Sequence, residues 1–284
     1  MYIQILSKIL SESLLSLYPI FVKYINLPIG IQLWSRFFTY VIVSCLFVNW
    51  SFIIKNLFSK YGIILSLVTI LHVYTSYRGF QLLESGIAYV LFYTYPLMII
   101  LLSGEKINYV IILALIGVIL LSQEKMESYK NEDNNNNIFK KKDVIEYFKY
   151  EGILMILLSA FTEALIYFIV RDIKTDNNWN HLFISYGLGA LLLTFYFFKD
   201  IKNIKISKTI SVSMVINLIL GLFGYLLRYY AISNLNVKLY SSLSYFGILM
   251  AYVYGIIINK DIITVKKIIG SLLIIIPNLY LLYN

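Results

Sequence analysis

Apolar residues run through this chain in blocks of similar length, at about 3–22, 30–50, 62–83, 87–103, 107–122, 152–170, 181–198, 211–232, 239–258 and 265–283. Short stretches containing Gly, Pro, Asn and Lys separate them. Each block comes near the ~20 residues that an α-helix needs to cross the hydrocarbon of a bilayer. Runs such as 111–121 and 273–282 are apolar on every face, whereas a strand of a membrane barrel would alternate. The pattern predicts an all-α, polytopic membrane protein of ten transmembrane helices. Pro19, Pro96 and Pro277 fall inside spans one, four and ten, where neighbouring helices can satisfy the carbonyl freed by the missing N–H.

The one long polar segment, 123–150, carries too little apolar surface to order itself and divides the spans five and five. Three parts follow: 1–122, a linker 123–150, and 151–284. The opening residues lack a basic leader and a small-residue cleavage site, so they are expected to be a retained first span.

Composition sharpens this picture. Of the 284 residues, 60% are hydrophobic and 14% charged, and the mean hydropathy is +0.76. Soluble domains sit near ~45–50% apolar and ~25% charged, so soluble enzymes and DNA-binding modules are excluded. The formal charge of +9 is expected to report basic loops against anionic headgroups, not nucleic acid. Cys45 is the only cysteine and lies in an apolar run, so it reads as packing. Abundant Ile, Asn, Lys, Tyr and Phe, with 26 Tyr, match an AT-rich coding bias. Placement therefore counts for more than abundance.

The two halves are related. A slide of about 150 residues sets Arg78 on Arg228 and Ser35 on Ser185, and one nearer 148 sets Lys23 on Arg171. With five spans per copy, the second copy enters the membrane in the opposite sense. That is an inverted-topology repeat, in which a substrate site lies near the bilayer midplane between the copies.

The residues also carry a family resemblance. Tyr77 to Leu121 holds a basic-aromatic end to span three, a turn at Glu84–Ser85–Gly86, Pro96, and Gly104–Glu105–Lys106 opening span five. This string resembles the EamA repeat of the drug/metabolite transporter superfamily. The second copy, Arg228 to Leu282, has Lys260–Asp261 where that family has Gly-Glu, followed by Gly270, and is also similar to nucleotide-sugar-transporter-like members. Asp in place of Glu, and Pro96 one helical turn closer to Glu105, depart from the family pattern. The resemblance implies a secondary transporter with spans 1–4 and 6–9 around a central cavity and spans five and ten at the periphery. It also implies cytoplasmic termini, whereas the basic loops, counted by the positive-inside rule, favour the opposite orientation.

Ionisable groups inside spans are expensive and mark function by default. Glu12 and Glu163 each fall near the middle of the first span of their repeat, at comparable depth. Two such carboxylates could exchange protons or bind a cation; equally, each could pair with a buried Arg to assemble the fold. Arg36, Arg78 and Arg228 lie near span ends, close enough to snorkel to headgroups. As repeat equivalents, Arg78 and Arg228 could instead clamp an anion from two sides. Tyr74, Tyr77, Tyr93, Tyr225, Tyr229 and Tyr245 recur near the same ends and could line a pore, or form an interfacial belt. His72 and His181 lack metal-ligand spacing and read as satisfied or interfacial. Glu105 and Asp261 sit at helix starts, where the dipole stabilises them.

No phosphate loop, nucleophile elbow, zinc helix or aspartate-rich motif is present in the sequence. The expectation is a non-enzymatic, cofactor-free, ATP-independent transporter in a membrane. Its partners would be the bilayer and a small-molecule substrate, with a homodimer as a further expectation and no nucleic acid. The substrate would be a phosphate or nucleotide sugar, or a cation or amphiphile exchanged for protons. A transport-inactive scaffold or receptor on the same fold is the reading from another class.

Overall fold

The computed structural model describes residues 2–25, 27–83, 85–106, 109, 111–117, 119–120, 142–197, 208–259 and 264–283. Among these residues there is no strand. The helices are α1 (Tyr2–Tyr24), α2 (Ile29–Cys45), α3 (Trp50–Asn56), α4 (Lys60–Leu82), α5 (Ser85–Phe92) and α6 (Tyr95–Leu102). They continue with α7 (Lys142–Asp172), α8 (Asn178–Tyr196), α9 (Lys208–Asn234), α10 (Val237–Ser244), α11 (Phe246–Asn259) and α12 (Val265–Tyr283). Residues 111–117 are helical as well.

Two helices show apolar residues turned outward and polar ones inward, the reverse of a soluble helix. On α1, Ile3, Leu6 and Leu10 are exposed, while Ser7, Lys8, Ser11, Glu12 and Ser16 are buried. On α9, Val212, Val215, Ile219 and Phe223 face outward, while Asn217, Tyr225, Arg228 and Tyr229 face inward. A bilayer explains this reversal, because lipid solvates the apolar face and polar groups are stable only against protein. Small residues then let backbones approach. Ser11 Oγ donates to the Gly224 carbonyl at 2.8 Å, and the Gly117 position lies against the Gly270 carbonyl.

The expected spans are partly corrected. Among the described residues three helices, Lys60–Leu82, Tyr150–Asp172 and Ile210–Asn234, are by themselves long and apolar enough to cross a membrane. The fourth run, 87–103, is not one continuous helix: it is interrupted at Tyr93–Thr94, between α5 and α6. Pro96, expected inside a continuous span, sits in the first turn of α6, where its absent N–H costs nothing. The ninth run breaks likewise at Tyr245, between α10 and α11. The second run stops at Cys45, and the short α3 follows, capped by the Asn49 side chain accepting from the Phe52 N–H. Asn49 thus serves as a helix cap. Gly104, at φ 71°, closes α6 in the left-handed conformation open to glycine.

Part of the polar linker is helix: α7 begins at Lys142, because extending a formed helix costs far less than nucleating one. The rest of the linker, together with Lys260 and Asp261, lies outside the described residues.

The helices of the two halves pair in a reciprocal pattern. α1 packs along α9, α7 along α4, and α2 along α8. The α2–α8 pair is antiparallel: Trp34 meets Thr194, Tyr40 meets Tyr186, and Phe47 meets Trp179. The α4–α7 pair is antiparallel too, with His72 against Ser159 and Leu83 against Gly152. Intervals recur as well. Thr94 to Tyr245 is 151 residues, the same interval as Glu12 to Glu163. That register sets Tyr77, not Arg78, on Arg228.

Candidate functional site: a buried ion network at the broken helices

The middle of the bundle holds a chain of charges. Arg228 on α9 reaches two carboxylates at once: its Nη2 is 2.8 Å from Glu12 Oε1 on α1, and its Nη1 is 2.5 Å from Glu163 Oε1 on α7. One guanidinium therefore ties together the first spans of the two halves. Lys8, one turn before Glu12 on the same helix face, places Nζ 2.5 Å from the same Glu12 oxygen. On the far side, His72 Nε2 lies 3.2 Å from Glu163 Oε2, and its Nδ1 lies 3.1 Å from the Ser159 carbonyl. All five side chains are at most 3% exposed.

The helix break delivers two more ligands to Glu12. Tyr95 donates to Oε1 at 3.1 Å and Tyr93 to Oε2 at 3.4 Å. Residues two apart on a continuous helix point to different faces, so the interruption at Tyr93–Thr94 is what lets both phenols meet one carboxylate. Gly247 completes the wall, since a Cβ there would fall 2.7 Å from Glu12 Oε2. Tyr225 bridges the network to its surroundings, with its hydroxyl 3.0 Å from His72 Nε2 and its ring 5.5 Å from Arg228.

Arg36 stands beside this network without joining it. Its guanidinium donates to Tyr18 and, at 3.0 Å, to Tyr186. The rings of Tyr18, Tyr40, Tyr77, Tyr186 and Tyr225 lie 4.8–5.9 Å from its Cζ, so cation–π attraction replaces part of its lost hydration. Arg36, Arg228, His72, Tyr18, Tyr93 and Tyr225 line one cavity of about 30 Å³. That is room for a water or two, not for a metabolite. A larger, open cavity of about 470 Å³ lies apart, at the ends of α7 and α9 beside Arg171, Lys174 and Tyr230.

Several sequence expectations need correction in place. Arg78 does not meet Arg228: it forms a two-pronged pair with Glu151, at 2.7 and 3.2 Å, near the edge of the bundle. Arg78 lies one position, or about 100° of helix, past the inward-facing Tyr77. Tyr74 faces outward at 41% exposure, two positions from His72 and so on another side of α4. Arg36 and Arg228 do not snorkel; both are 2% exposed. Tyr77 is buried, stacked on Tyr18 at 5.1 Å, with its hydroxyl accepting from Asn217 at 3.5 Å. Tyr229 donates to Ser185 at 3.0 Å, and Tyr245 is buried at the second helix break. Glu105 pairs across the halves with Lys238 at 3.0 Å on the surface.

Two members of the network are ones that sequence reading passed over. Lys8 falls inside the first apolar run without being singled out, although its i, i+4 spacing to Glu12 was the available signal. His72 reads as a lone histidine, and nothing local in the sequence links it to Glu163, 91 positions away. Among the described residues, no cluster of His, Cys, Asp and Glu could hold a metal ion.

Apolar outer faces around an ion-paired centre mark an integral, multi-pass membrane protein. Residues 150–282 match the EamA-like transporter family. EamA-like proteins are membrane transporters, not enzymes. A crystal structure of a protein superposes with a TM-score of 0.69 over 97% of this chain and 93% of that one, at 14% identity. That likeness establishes the fold alone. No curated protein matches the chain.

Proposed function

We propose that this protein is a secondary transporter that moves a small solute by alternating access, as two inverted five-helix halves rock against each other. Arg228 is the interlock. The observation that carries this reading is its simultaneous pairing with Glu12 and Glu163, one carboxylate from the first span of each half. The reciprocal pairing of α1 with α9 and α7 with α4 supports the inverted repeat, as do the matched breaks at Tyr93–Thr94 and Tyr245. The central cavity, at about 30 Å³, leaves no room for a metabolite in this conformation.

A proton or a cationic solute that takes over Glu12 weakens the hold of Arg228 across the halves and frees them to move. This favours exchange of a cation or amphiphile for protons. The phosphate-type alternative loses the two-sided clamp of Arg78 and Arg228 and keeps only the Arg36 side.

The test is uptake into proteoliposomes of labelled organic cations, amino acids, sugar phosphates and nucleotide sugars, at two pH values. Wild-type protein should move at least one of these with a rate that depends on pH. Glu12→Gln/Glu163→Gln should lose that dependence. Uptake and pH dependence that survive the double substitution would refute the coupling role, and absence of transport for every compound would favour the scaffold.

A further inference from the structure

Counting formal charge in the sealed core leaves a remainder. Among the described residues, Lys8, Arg36 and Arg228 are buried cations and Glu12 and Glu163 are the buried carboxylates. The carboxylates are taken up by ion pairs with Lys8 and Arg228, and Glu163 Oε2, 3.2 Å from His72 Nε2, accepts no hydrogen bond. Arg36 has no ion pair among the described residues; it has phenols and ring faces. A buried, uncompensated guanidinium is costly, and aromatic faces offset only part of that cost.

The unfilled hydrogen-bonding capacity lies in the same place. Nε of Arg36 and Nε of Arg228 are both buried without a hydrogen-bond partner, and both side chains line the 30 Å³ cavity. Tyr40, whose ring stands 5.2 Å from Arg36, also keeps a buried hydroxyl with no partner. Donors without acceptors, an excess of one positive charge and room for a water-sized group are the description of an anion site.

We infer that the cavity between Arg36 and Arg228 binds one small monovalent anion, either a free halide or the carboxylate head of a solute. Arg36 is its principal ligand, with the surrounding phenols as secondary donors. The volume excludes a sugar phosphate or nucleotide in this closed state. Binding does not depend on transport, so the site can be tested even if the chain moves nothing.

The experiment is thermal unfolding of the full chain in detergent. A gluconate buffer of constant ionic strength is titrated with chloride, bromide, formate or acetate. Unfolding temperature should rise and saturate with at least one of them. A halide response identifies a free ion, and a response to formate or acetate alone identifies the head of a solute. In Arg36→Gln the half-saturating concentration should rise about tenfold or more, as expected on losing a charged donor.

Tyr40→Glu guards against misfolding of that variant, because it supplies an internal counter-ion beside Arg36. It should be more stable than wild type in anion-free buffer and should no longer respond to added anion. An unfolding temperature indifferent to all four anions would overturn the proposal, as would a response that Tyr40→Glu preserves. Tyrosinate absorbance at neutral pH would also overturn it, by revealing a phenolate as the counter-ion.

Discussion

Removing Arg228 should destabilise the protein in a way that reveals which carboxylate depends on it. Arg228→Met keeps the length of the side chain and deletes its charge. Glu12 then retains Lys8 at 2.5 Å and the hydroxyls of Tyr93 and Tyr95. Glu163 retains only His72 at 3.2 Å. Breaking a buried pair from one side costs about 3–5 kcal/mol, because the remaining charge stays buried. For a chain of this size that is a fall in unfolding temperature on the order of 10 °C.

The structure assigns most of this cost to Glu163. Arg228→Met/Glu163→Gln should therefore recover more than half of the loss, since the stranded charge is gone. Arg228→Met/Glu12→Gln should recover none and fall further, because Lys8 then becomes the unpaired ion. The assay is thermal or denaturant unfolding in detergent, read as a double-mutant cycle over the four combinations. Equal recovery from both carboxamide substitutions would refute the argument, and so would an Arg228→Met protein as stable as wild type.

Other consequences are smaller and independent. Arg78→Ala should cost at most about 1 kcal/mol and leave solute uptake intact, because its pair with Glu151 is part-exposed; a large loss of uptake would restore it to the site. Tyr95→Phe should cost about 1 kcal/mol by removing one hydroxyl from Glu12, and more than Tyr93→Phe, whose bond is longer at 3.4 Å; unfolding midpoints give the order. Gly79→Ala should destabilise by about 1–3 kcal/mol, since the new Cβ falls on Ile156. Ile156→Ala in the same protein should relieve it, and additive losses would refute the contact.

How much of this could be read from the sequence depended on the range of the interaction. Helix content, membrane residence and the mid-span position of Glu12 and Glu163 follow from local hydropathy, which acts within about 20 residues. The helix breaks at Tyr93–Thr94 and Tyr245 were hidden because apolar composition continues through both. Pro96 marked the first of them, and its reading as a tolerated mid-span proline used the right residue with the wrong geometry. The Arg228 interlock spans 216 positions to Glu12 and 65 to Glu163, so only packing reveals it. Tyrosines were discounted as coding bias, which concealed the five rings around Arg36. The composition argument explains why tyrosine is common, but it does not bear on which tyrosines the fold turns inward.

The proposed inverted repeat makes the chemistry of the site uneven in an informative way. In the 151-residue register, backbone features coincide: helix breaks match, and Glu12 matches Glu163. The cation does not coincide, because Arg228 falls on Tyr77, which is stacked on Tyr18 and faces Arg36. Two halves that exchange conformations would therefore not exchange electrostatics. Were the halves to rock as proposed, Arg228 would stay with the second half and would have to loosen its bond to Glu12 or carry Glu12 along. Lys8 and the phenols of Tyr93 and Tyr95 all belong to the first half and stand ready to hold Glu12 in either case. In the proposed transition the contact to break would be Arg228–Glu12, whereas Arg228–Glu163 lies within one half and would persist. Glu12→Gln should consequently shift the balance between the two open states, and Glu163→Gln should chiefly lower stability. Accessibility of single cysteines placed at opposite ends of α9, in a Cys45→Ala background, distinguishes the two. Equal shifts in both variants would show that the two bonds break together and that the division into rigid halves is wrong.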